Sequence, residues 1–407
     1  MTVETSASVR AEQDSSPVAF RRLARLEDLP PVAGRRVLVR ADLNAPLRET
    51  GTGGYEVSDD FRLRACVPTL TWLLERGAHV SVCSHLGRPR GRVDLRYSMT
   101  PVRERMAILA PGVEVMENLR FDPGEEANDP EFVRRLVEGF DYYVNDAFGA
   151  CHRRHASIVG PPQLLPSVAG RLLQREVEAI SRLLINPQRP FVAVLGGAKV
   201  ADKLGLLASL SQKVDRLYLG GAMSFTFLAA MGHDVGDSPV EPTLFDEALW
   251  LLSHYQLELP EDLVALSPDG SFAFGIPQSG SARTFGVDLL PGWQGADIGP
   301  ATRASFGDAI ARAGTVLWIG PMGVFEDPRF GEGTRSVAQA VASSQGFSVV
   351  GGGETAAAVH ALHLEQGIDH VSSGGGATLE FIENGDLPGL AALRESVNVA
   401  LRQVAIL

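Results

Sequence analysis

Short apolar segments alternate with amphipathic segments along most of the chain. Residues 35–46 and 347–350 predict buried strands, because they contain runs of branched apolar residues. Residues 62–74 have apolar positions at helical spacing, and Gly77 ends that helix. Strands that alternate with helices in this way favour parallel sheets with helices on both faces. The pattern therefore predicts an α/β protein with two doubly wound, Rossmann-like parallel-sheet domains.

The same pattern predicts further elements, which divide the chain into parts. More strands are expected at residues 115–121, 141–148 and 259–266, a loop at the Ser/Gly/Pro-rich residues 267–292, and a long helix at residues 168–184. We expect a domain junction after that helix, because Pro187 and Pro190 follow it. The expected organisation is a loose leader (1–18), a first domain that ends in the long helix (19–184), a second domain (185–390) and a tail helix that packs back on the first domain (391–407).

The composition excludes several classes of protein. A chain of 407 residues with 45% hydrophobic and 21% charged residues has the size and balance of a two-domain globular protein. It contains no apolar run long enough to span a membrane, and its first twenty residues lack the apolar core of a secretory signal. A formal net charge of −12 argues against nucleic-acid binding. Cys66, Cys83 and Cys151 have no metal-binding spacing and no even pairing, so we expect a reducing, cytoplasmic location.

Basic side chains follow several predicted strands of the first half. His85 and Arg88 follow one strand, Arg120 ends another, and Arg153 lies in the His-Arg-Arg-His run after a third. Each base alone is better explained as ordinary surface charge. Together, in an acidic protein, they predict a pocket for a small polyanion, since arginine forks match carboxylate and phosphate oxygens. The His-x-x-His run has no third ligand at a suitable spacing, so we do not expect a zinc site.

Glycine-rich turns follow predicted strands of the second half. They lie at residues 196–197, 220–221, 351–353 and 374–376. Such turns let a ligand approach the backbone, and the free N–H groups of a following helix bind anions. Lys199 and Lys203 share a face if their segment is helical, and they are either phosphate-neutralising groups or surface lysines. Glu354 opens the helix after the third turn, and it is either a capping residue or a ligand of Mg²⁺ beside bound phosphate.

These features predict a two-domain phosphotransferase for a small anion and a phosphate-bearing nucleotide. The chain lacks a Walker A pattern, a protein-kinase glycine loop and a G-x-G-x-x-G fingerprint with its downstream acid. The protein therefore belongs to neither common nucleotide-binding class. The residues by themselves do not identify the acceptor substrate.

Eight motifs, in this order, resemble those of the phosphoglycerate kinase family. They are Arg-Ala-Asp-Leu-Asn-Ala-Pro (40–46), Ser-His-Leu-Gly-Arg-Pro (84–89), Glu-Asn-Leu-Arg-Phe (117–121), Tyr-Val-Asn-Asp-Ala-Phe-Gly (143–149), His-Arg-Arg-His-Ala-Ser (152–157), Gly-Gly-Ala-Lys-Val-Ala-Asp-Lys (196–203), Gly-Pro-Met-Gly-Val-Phe-Glu (320–326) and Gly-Gly-Gly-Glu-Thr (351–355). The resemblance implies an in-line phosphoryl transfer between ATP and the carboxylate of 3-phosphoglycerate, which yields ADP and 1,3-bisphosphoglycerate. It implies that residues 19–184 form a basic substrate domain and residues 185–390 a nucleotide-binding domain, which close about the helix at residues 168–184 as the hinge helix. It further implies a monomer that requires Mg²⁺ and binds a phosphorylated carboxylate and an adenine nucleotide, without a membrane or nucleic-acid partner.

The resemblance also implies residue roles. Substrate-binding residues would be Asp42, Asn44, Arg62, His85, Arg88, Arg120 and Arg153. Nucleotide-binding residues would be Lys199, Lys203, Gly320, Glu326, Gly352, Gly353 and Thr355. Catalytic residues would be Arg62, Lys199, Gly353 and Gly376, and the metal ligand would be Glu354.

Two positions depart from the family pattern. Ile319 stands where the family usually has asparagine, which removes one polar contact near the phosphates. Glu354 stands where the family usually has aspartate, which keeps the charge but moves the oxygens by one methylene. Two alternatives to a working phosphoglycerate kinase therefore remain. One is a paralogue that phosphorylates a related phosphorylated carboxylate in a dedicated pathway, such as secondary metabolism, and the other is a non-catalytic relative that binds nucleotide or phosphoglycerate.

Overall fold

The computed structural model describes residues 23–51, 53–272 and 279–404, with side chains as far as residue 396. The expected leader, residues 1–18, lies outside the described residues. Within them, no helix is both long enough and apolar enough to cross a lipid bilayer.

The first half of the chain forms a five-stranded parallel sheet with helices on both sides. The strands of this sheet are β1 (Arg36–Ala41), β4 (His79–Cys83), β5 (Glu114–Val115), β6 (Tyr142–Asp146) and β7 (Ser167–Ala169). Two further strands, β2 (Leu47–Glu49) and β3 (Tyr55–Val57), form a small hairpin. The helices of the first half are α1 (Phe61–Leu74), α2 (Thr100–Leu109), α3 (Pro123–Ala127), α4 (Pro130–Val137), α5 (Ala156–Val159) and the long α6 (Arg171–Ile185). The strand order in the sheet is β5-β4-β1-β6-β7, and β2 pairs only with β3.

The second half forms a six-stranded parallel sheet and a smaller antiparallel one. Its strands are β8 (Phe191–Leu195), β9 (Arg216–Leu219), β10 (Leu257–Glu258), β11 (Leu263–Leu266), β12 (Ala282–Phe285), β13 (Gln294–Ile298), β14 (Thr315–Ile319), β15 (Phe347–Gly351) and β16 (His370–Val371). Its helices are α7 (Leu204–Ser211), α8 (Met223–Ala230), α9 (Phe245–His254), α10 (Pro300–Ala311), α11 (Glu332–Ser343), α12 (Gly353–Ala361), α13 (Gly376–Asn384) and α14 (Pro388–Val404). The parallel sheet has the order β10-β9-β8-β14-β15-β16, and β12-β11-β13 form the antiparallel sheet.

The central strands are buried on both faces, which explains their continuous apolar sequences. Every residue of β8 and of β14 is buried, and β1 is buried beyond its first residue. Parallel strands end at a common edge, so the loops that carry the motifs collect along one edge of each sheet. The predicted α/β class with two parallel sheets is confirmed, whereas the antiparallel sheet was not predicted.

The helix expected at residues 168–184 begins later than predicted. Val168 pairs with Val144 as part of β7, so the first two residues of the expected helix lie in or next to the sheet. Gly170 keeps an extended backbone and precedes the first residue of α6, Arg171. The helical spacing of the apolar residues continued into β7, where strand pairing determined the conformation instead.

Three other predicted segments were wrong in part. The strand expected at residues 115–121 ends at Val115, because the side chain of Asn118 accepts the backbone N–H of Arg120 and starts a 3₁₀ turn. The strand expected from residue 259 begins at Leu263. The loop expected at residues 267–292 contains β12, which pairs with β11, and its residues 273–278 lie outside the described part.

Helix α6 is anchored in the first sheet and contacts the second half. Oγ1 of Thr69 accepts the N–H of Arg171 at 2.8 Å, and Oδ1 of Asp146 accepts the N–H of Leu172 at 2.9 Å, which satisfies free donors of the helix N-terminus. Further along α6, the buried Glu176 accepts hydrogen bonds from the loop after β16. Helix α14 returns to the first half and packs on α5 and β7.

The buried cap of α6 generates a prediction about pH and stability. Burial raises the pKa of Asp146 to about 6, although two backbone N–H groups of α6 donate to it. Because the folded carboxyl keeps its proton to higher pH than the unfolded one, ionisation between about pH 4 and pH 6 destabilises the folded state. Asp146→Asn cannot ionise. We therefore expect its free energy of unfolding, relative to that of the original protein, to increase by about 3 kcal/mol as the pH rises from 4 to 7.

Urea unfolding of both proteins at several pH values in this interval measures the difference. Any packing loss from the amide is independent of pH and cancels in the comparison. A stability difference that does not change with pH would contradict the prediction.

Candidate active site

Asp42 and Arg62 form an ion pair at the carboxyl edge of the first sheet. Asp42 follows β1 and is 8% exposed, and Arg62 lies in the first turn of α1. Nη1 of Arg62 donates to Oδ2 of Asp42 at 2.6 Å. Burial opposes ionisation of Asp42, but the positive charges of Arg62 and Arg40 outweigh it and hold the pKa of this carboxyl below its ordinary value. The carboxylate therefore holds Arg62 in place, while about a third of the arginine side chain stays open to solvent.

Arg40 is a buried cation beside this pair that the predicted site did not include. It is 1% exposed, its Nη2 lies 3.2 Å from Nδ1 of His85, and its Nε donates to Oγ of Ser157 at 2.9 Å. Burial and the neighbouring arginines lower the pKa of His85 to about 3 against the opposing effect of Asp42, so the imidazole is neutral at pH 7. The available signal was the alternation of Arg40 with Asp42 at the end of the first strand.

Asn44 and Arg120 hold the loop that follows His85. Oδ1 of Asn44 accepts the N–H of Gly87 at 2.8 Å, and Nη1 of Arg120 donates to the carbonyl of Gly87 at 2.8 Å. Nε of Arg120 also lies 3.2 Å from a carboxylate oxygen of Glu126. These two predicted substrate residues therefore shape the loop in this structure, and only part of each side chain remains for a ligand.

The remaining bases of the first half differ in exposure and in charge. Arg88 and Arg153 are exposed at the rim. His152 and His155 are partly buried, and burial, followed by nearby arginines, lowers the pKa of each to about 4. The positive charge of this pocket at pH 7 therefore comes from arginines, which keep it at any pH the protein encounters.

The glycine turns of the second half are joined to one another by backbone hydrogen bonds. Gly197 N–H donates to the carbonyl of Pro321 at 3.0 Å, and Gly221 N–H donates to the carbonyl of Met322 at 3.0 Å. The turns border a cavity of about 250 Å³ whose wall includes Glu326 and Glu354. A Cβ built on Gly221 would lie 2.6 Å from the backbone nitrogen of Gly197, so glycine at this position lets the turns pack closely against one another.

Helix α12 begins directly at this cavity. Gly352 precedes it with a φ of +90°, a conformation that favours glycine, and Glu354 lies exposed in its first turn. Thr355 is fully buried, and its Oγ1 accepts the N–H of Gly320 at 2.6 Å. The hydroxyl of Thr355 thus joins two turns, while the first N–H groups of α12, including that of Gly353, lack helical partners and suit an anion.

Lys199 and Lys203 do not share a helix face, which corrects the prediction. Residues Ala201–Lys203 form a 3₁₀ turn, and α7 begins only at Leu204. Lys199 is exposed, whereas Lys203 turns inward and donates to the carbonyl of Gly196. Burial lowers the pKa of Lys203, and the nearby charge of Glu354 opposes that shift. Only one of the two lysines therefore lies among the glycine turns in this structure.

The two halves of the site meet across a groove. Arg62 of the first half and Gly353 of the second line one groove of about 260 Å³. A Cβ built on Gly149 would lie 2.6 Å from Oδ2 of Asp42 and 3.7 Å from the carbonyl oxygen of Gly374. A Cβ built on Gly376 would likewise lie 3.7 Å from Nε2 of His152. The turn at residues 374–376 therefore lies beside the basic pocket.

Glu354 fits the requirements of a metal ligand shared with phosphate. The described part of the chain has no group of three or more His, Cys, Asp or Glu residues able to hold a metal ion by themselves. Glu354 is exposed at the start of α12 and at the wall of the cavity, where a nucleotide's phosphates would supply the remaining oxygens. Mg²⁺ binds proteins in this way, through one or two carboxylates together with phosphate oxygens and water.

Comparison with known proteins settles the family. The family model described as phosphoglycerate kinase matches residues 26–115 and 107–385. The chain belongs to the phosphoglycerate kinase family. The resemblance of the eight motifs is thereby confirmed. Phosphoglycerate kinases of Rubrobacter xylanophilus and Thermus thermophilus are 47% and 46% identical to this chain over 390 and 399 residues, which cover 90% of it and 97% and 99% of those relatives.

Solved structures of the phosphoglycerate kinase family share the fold. The enzyme of Coxiella burnetii superposes with a TM-score of 0.81 at 35% identity, over 92% of this chain and 99% of that one. The enzyme of Pyrococcus horikoshii superposes with a TM-score of 0.79 at 29% identity, over 92% of this chain and 100% of that one. The architecture described above is therefore that of the family.

Ile319 makes the end of β14 apolar where the phosphoglycerate kinase pattern usually has an amide. It is 1% exposed, and its Cγ1 would lie 3.3 Å from a Cβ built on Gly351. It belongs to the large apolar core that includes Leu195 and Val349. The side chain therefore stabilises the sheet beneath the glycine turns and offers no polar group to a ligand.

We expect Ile319→Asn to lower the free energy of unfolding by about 2–4 kcal/mol. The substitution removes a buried apolar side chain and places in the same apolar core an amide that lacks a hydrogen-bond partner. Ile319→Val is the matched control and should cost about 0.5–1.5 kcal/mol. Urea denaturation of the three proteins measures both changes. An asparagine variant as stable as the valine variant would show that the amide finds partners in the folded protein.

Proposed function

We propose that this chain transfers a phosphoryl group between ATP and the carboxylate of 3-phosphoglycerate, giving 1,3-bisphosphoglycerate and ADP. The observation that carries the proposal is the common groove of Arg62 and Gly353, which brings an anion-binding arginine to the free N–H groups of α12. The chemistry of such a transfer needs positioning and charge neutralisation more than covalent help from the protein. A site built from arginines, glycine N–H groups and a lysine supplies both.

The basic pocket of the first half is the proposed site of the phosphorylated acid. Arg88 and Arg153 have exposed guanidinium groups for the distal phosphate, and Arg120 and His85 add donors deeper in the pocket. Asp42 holds Arg62 by the 2.6 Å ion pair, so one face of the guanidinium remains for the reacting carboxylate and the moving phosphoryl group. Asn44 keeps the loop at Gly87 in register with these bases.

The cavity among the glycine turns is the proposed nucleotide site. Glu326 would accept hydrogen bonds from the ribose hydroxyls, and the backbone at Gly320, Gly352 and Thr355 would border the phosphates. Lys203 already lies among the turns, and Lys199 has an exposed side chain that can reach the transferred phosphate. Gly353 and Gly376 open α12 and α13, and their N–H groups would face the charge that develops on the equatorial oxygens.

Glu354 is the proposed ligand of Mg²⁺. The bound ion would neutralise charge on the nucleotide phosphates. The carboxylate of Glu354 lies near Lys203, so both groups would contact the same end of the nucleotide. The side chain is one methylene longer than aspartate, and the exposed position at the helix start gives it room to adjust.

The proposed domains are the substrate domain (19–184), the nucleotide-binding domain (185–390) and the tail helix (391–407) on the first domain. We propose that α6 is the hinge about which they close, which would exclude water from the groove during transfer. One chain carries both halves of the groove, which supports a functional monomer. Three buried free thiols support a cytoplasmic, reducing location.

The first test is a coupled assay of ADP formation from ATP, Mg²⁺ and 3-phosphoglycerate, with Arg62→Ala as the decisive variant. We expect this variant to lose at least about 10²-fold in kcat while it still binds ATP, because the lost cation acts on the moving phosphoryl group. Arg64→Ala is the matched control, since Arg64 lies on the same helix but is exposed and paired with Asp60. Near-normal turnover by Arg62→Ala would remove Arg62 from the catalytic role.

The same assay decides whether 3-phosphoglycerate is the acceptor. Turnover at the ordinary rates of metabolic kinases supports the proposal. Trace turnover by a folded protein that still binds ATP would overturn it. A screen of other phosphorylated carboxylates would then identify the acceptor of a paralogue, and binding without any transfer would indicate a non-catalytic relative.

Magnesium dependence tests the role of Glu354. We expect Glu354→Gln to lower kcat/KM for ATP by about 10²-fold and to require more Mg²⁺ for half-maximal activity, because a neutral amide is a poor ligand for this ion. Glu354→Asp is the conservative control and should retain most of the activity. An unchanged Mg²⁺ titration for the glutamine variant would show that the ion is held without this side chain.

A further inference from the structure

A fully buried chain of polar groups leads from α3 to His85. Glu125 of α3 is 0% exposed, and its carboxylate accepts the Oγ–H of Ser157 at 2.7 Å and the N–H of Ser157 at 2.9 Å. Oγ of Ser157 accepts Nε–H of Arg40 at 2.9 Å, and Nη2 of Arg40 lies 3.2 Å from Nδ1 of His85. None of the first three residues is more than 1% exposed, so water does not compete with these bonds.

The chemistry of these four side chains determines which atom donates and which accepts in each of their hydrogen bonds. A guanidinium group has only donors, so the nitrogen of His85 that faces Arg40 must accept. A carboxylate has only acceptors, so Ser157 must donate its hydroxyl proton to Glu125, and its oxygen is left to accept from Arg40. The neutral imidazole of His85 then carries its proton on Nε2, because Nδ1 is the acceptor.

Glu125 provides a counter-charge for the buried guanidinium of Arg40. A buried guanidinium is costly unless counter-charges and hydrogen bonds surround it. Asp42 supplies one negative charge on the substrate side, and Glu125 supplies the other from behind, through Ser157. Nη1 of Arg40 also donates to the carbonyl of Ala41, so the guanidinium is fixed at three separate points.

We propose that Glu125 is a positioning residue that acts through Ser157 and Arg40 to set the tautomer of His85. The consequence is that His85 presents Nε2–H, a neutral donor, to an anionic oxygen of the bound acid. Within the described residues the structure gives Nε2 no hydrogen-bond partner, so this donor is left for a ligand. The ligand part of this inference rests on the proposed function, whereas the tautomer does not.

The test is an NMR measurement of the two imidazole nitrogens of His85. The protein is labelled with ¹⁵N-histidine, and long-range proton–nitrogen correlations are recorded at pH 7 without substrate. His85→Gln identifies the signals by their loss. We expect an unprotonated Nδ1 and a protonated Nε2. A proton on Nδ1, or on both nitrogens, would overturn the proposal, and this result does not depend on whether the protein turns over 3-phosphoglycerate.

Variants test the positioning step. Glu125→Gln offers one acceptor oxygen where Ser157 brings two donors, and Ser157→Ala removes the link to Arg40. For either variant that folds we expect a mixture of tautomers at His85 and an increase of about tenfold in KM for 3-phosphoglycerate, with KM for ATP unchanged. Unaltered His85 signals and unaltered KM in both variants would refute the role of Glu125.

Tyr143→Phe is the matched control for lost stability. The hydroxyl of Tyr143 is buried and donates to the backbone carbonyl of Ser157 at 2.7 Å. Its loss therefore removes a buried hydrogen bond to Ser157 that is not part of the series from Glu125 to His85. We expect this variant to be less stable while the His85 signals remain as in the original protein. The same tautomer mixture in Tyr143→Phe would mean that general loosening, and not the chain from Glu125, governs His85.

Discussion

One buried carboxylate joins the two halves of this protein at the site. Glu176 on α6 is 0% exposed and accepts hydrogen bonds from Nε2 of His370 at 2.7 Å, from Oγ of Ser372 at 2.7 Å and from both N–H and Oγ–H of Ser373 at 2.8 Å. Burial would raise its pKa, but His370 and the serine donors outweigh burial and hold the pKa below its ordinary value. A charge buried with this many donors has one low-energy arrangement, so the loop after β16 is held against the helix.

The location of the groove follows from that attachment. Helix α6 is capped by Thr69 and Asp146 of the first half, and its Glu176 holds the loop that leads into the turn at residues 374–376. That turn lies beside Asp42, while the start of α12 shares a groove with Arg62. Helix α6 thus contacts both halves of the protein next to the groove that they share, which is the arrangement that the proposed transfer between two bound anions requires.

Features that depend on nearby residues in the sequence could be predicted, and features that depend on contacts between residues far apart in the chain could not. Apolar runs between helical segments correctly predicted the two parallel sheets, whereas the anion site indicated by glycine turns and basic strand ends stays a prediction. The alternation of Arg40 with Asp42 was visible in the sequence, but the predicted site residues left Arg40 out, because its contacts are with His85 and Ser157, which are 45 and 117 residues away along the chain. The same cause explains the misplaced helix start, since Val168 became a strand residue only by pairing with Val144.

The sequence by itself determined the class of fold, the family and the set of charged groups available for chemistry, because these depend on residue type and order. Only the tertiary structure decided which groups are buried, which are paired and which remain for a ligand. Lys199 and Lys203 show the difference, since two similar lysines of one motif became an exposed side chain and a partly buried one. Burial and hydrogen-bond partners come from residues far apart in the chain, and they set the charge and orientation on which the proposed reaction depends.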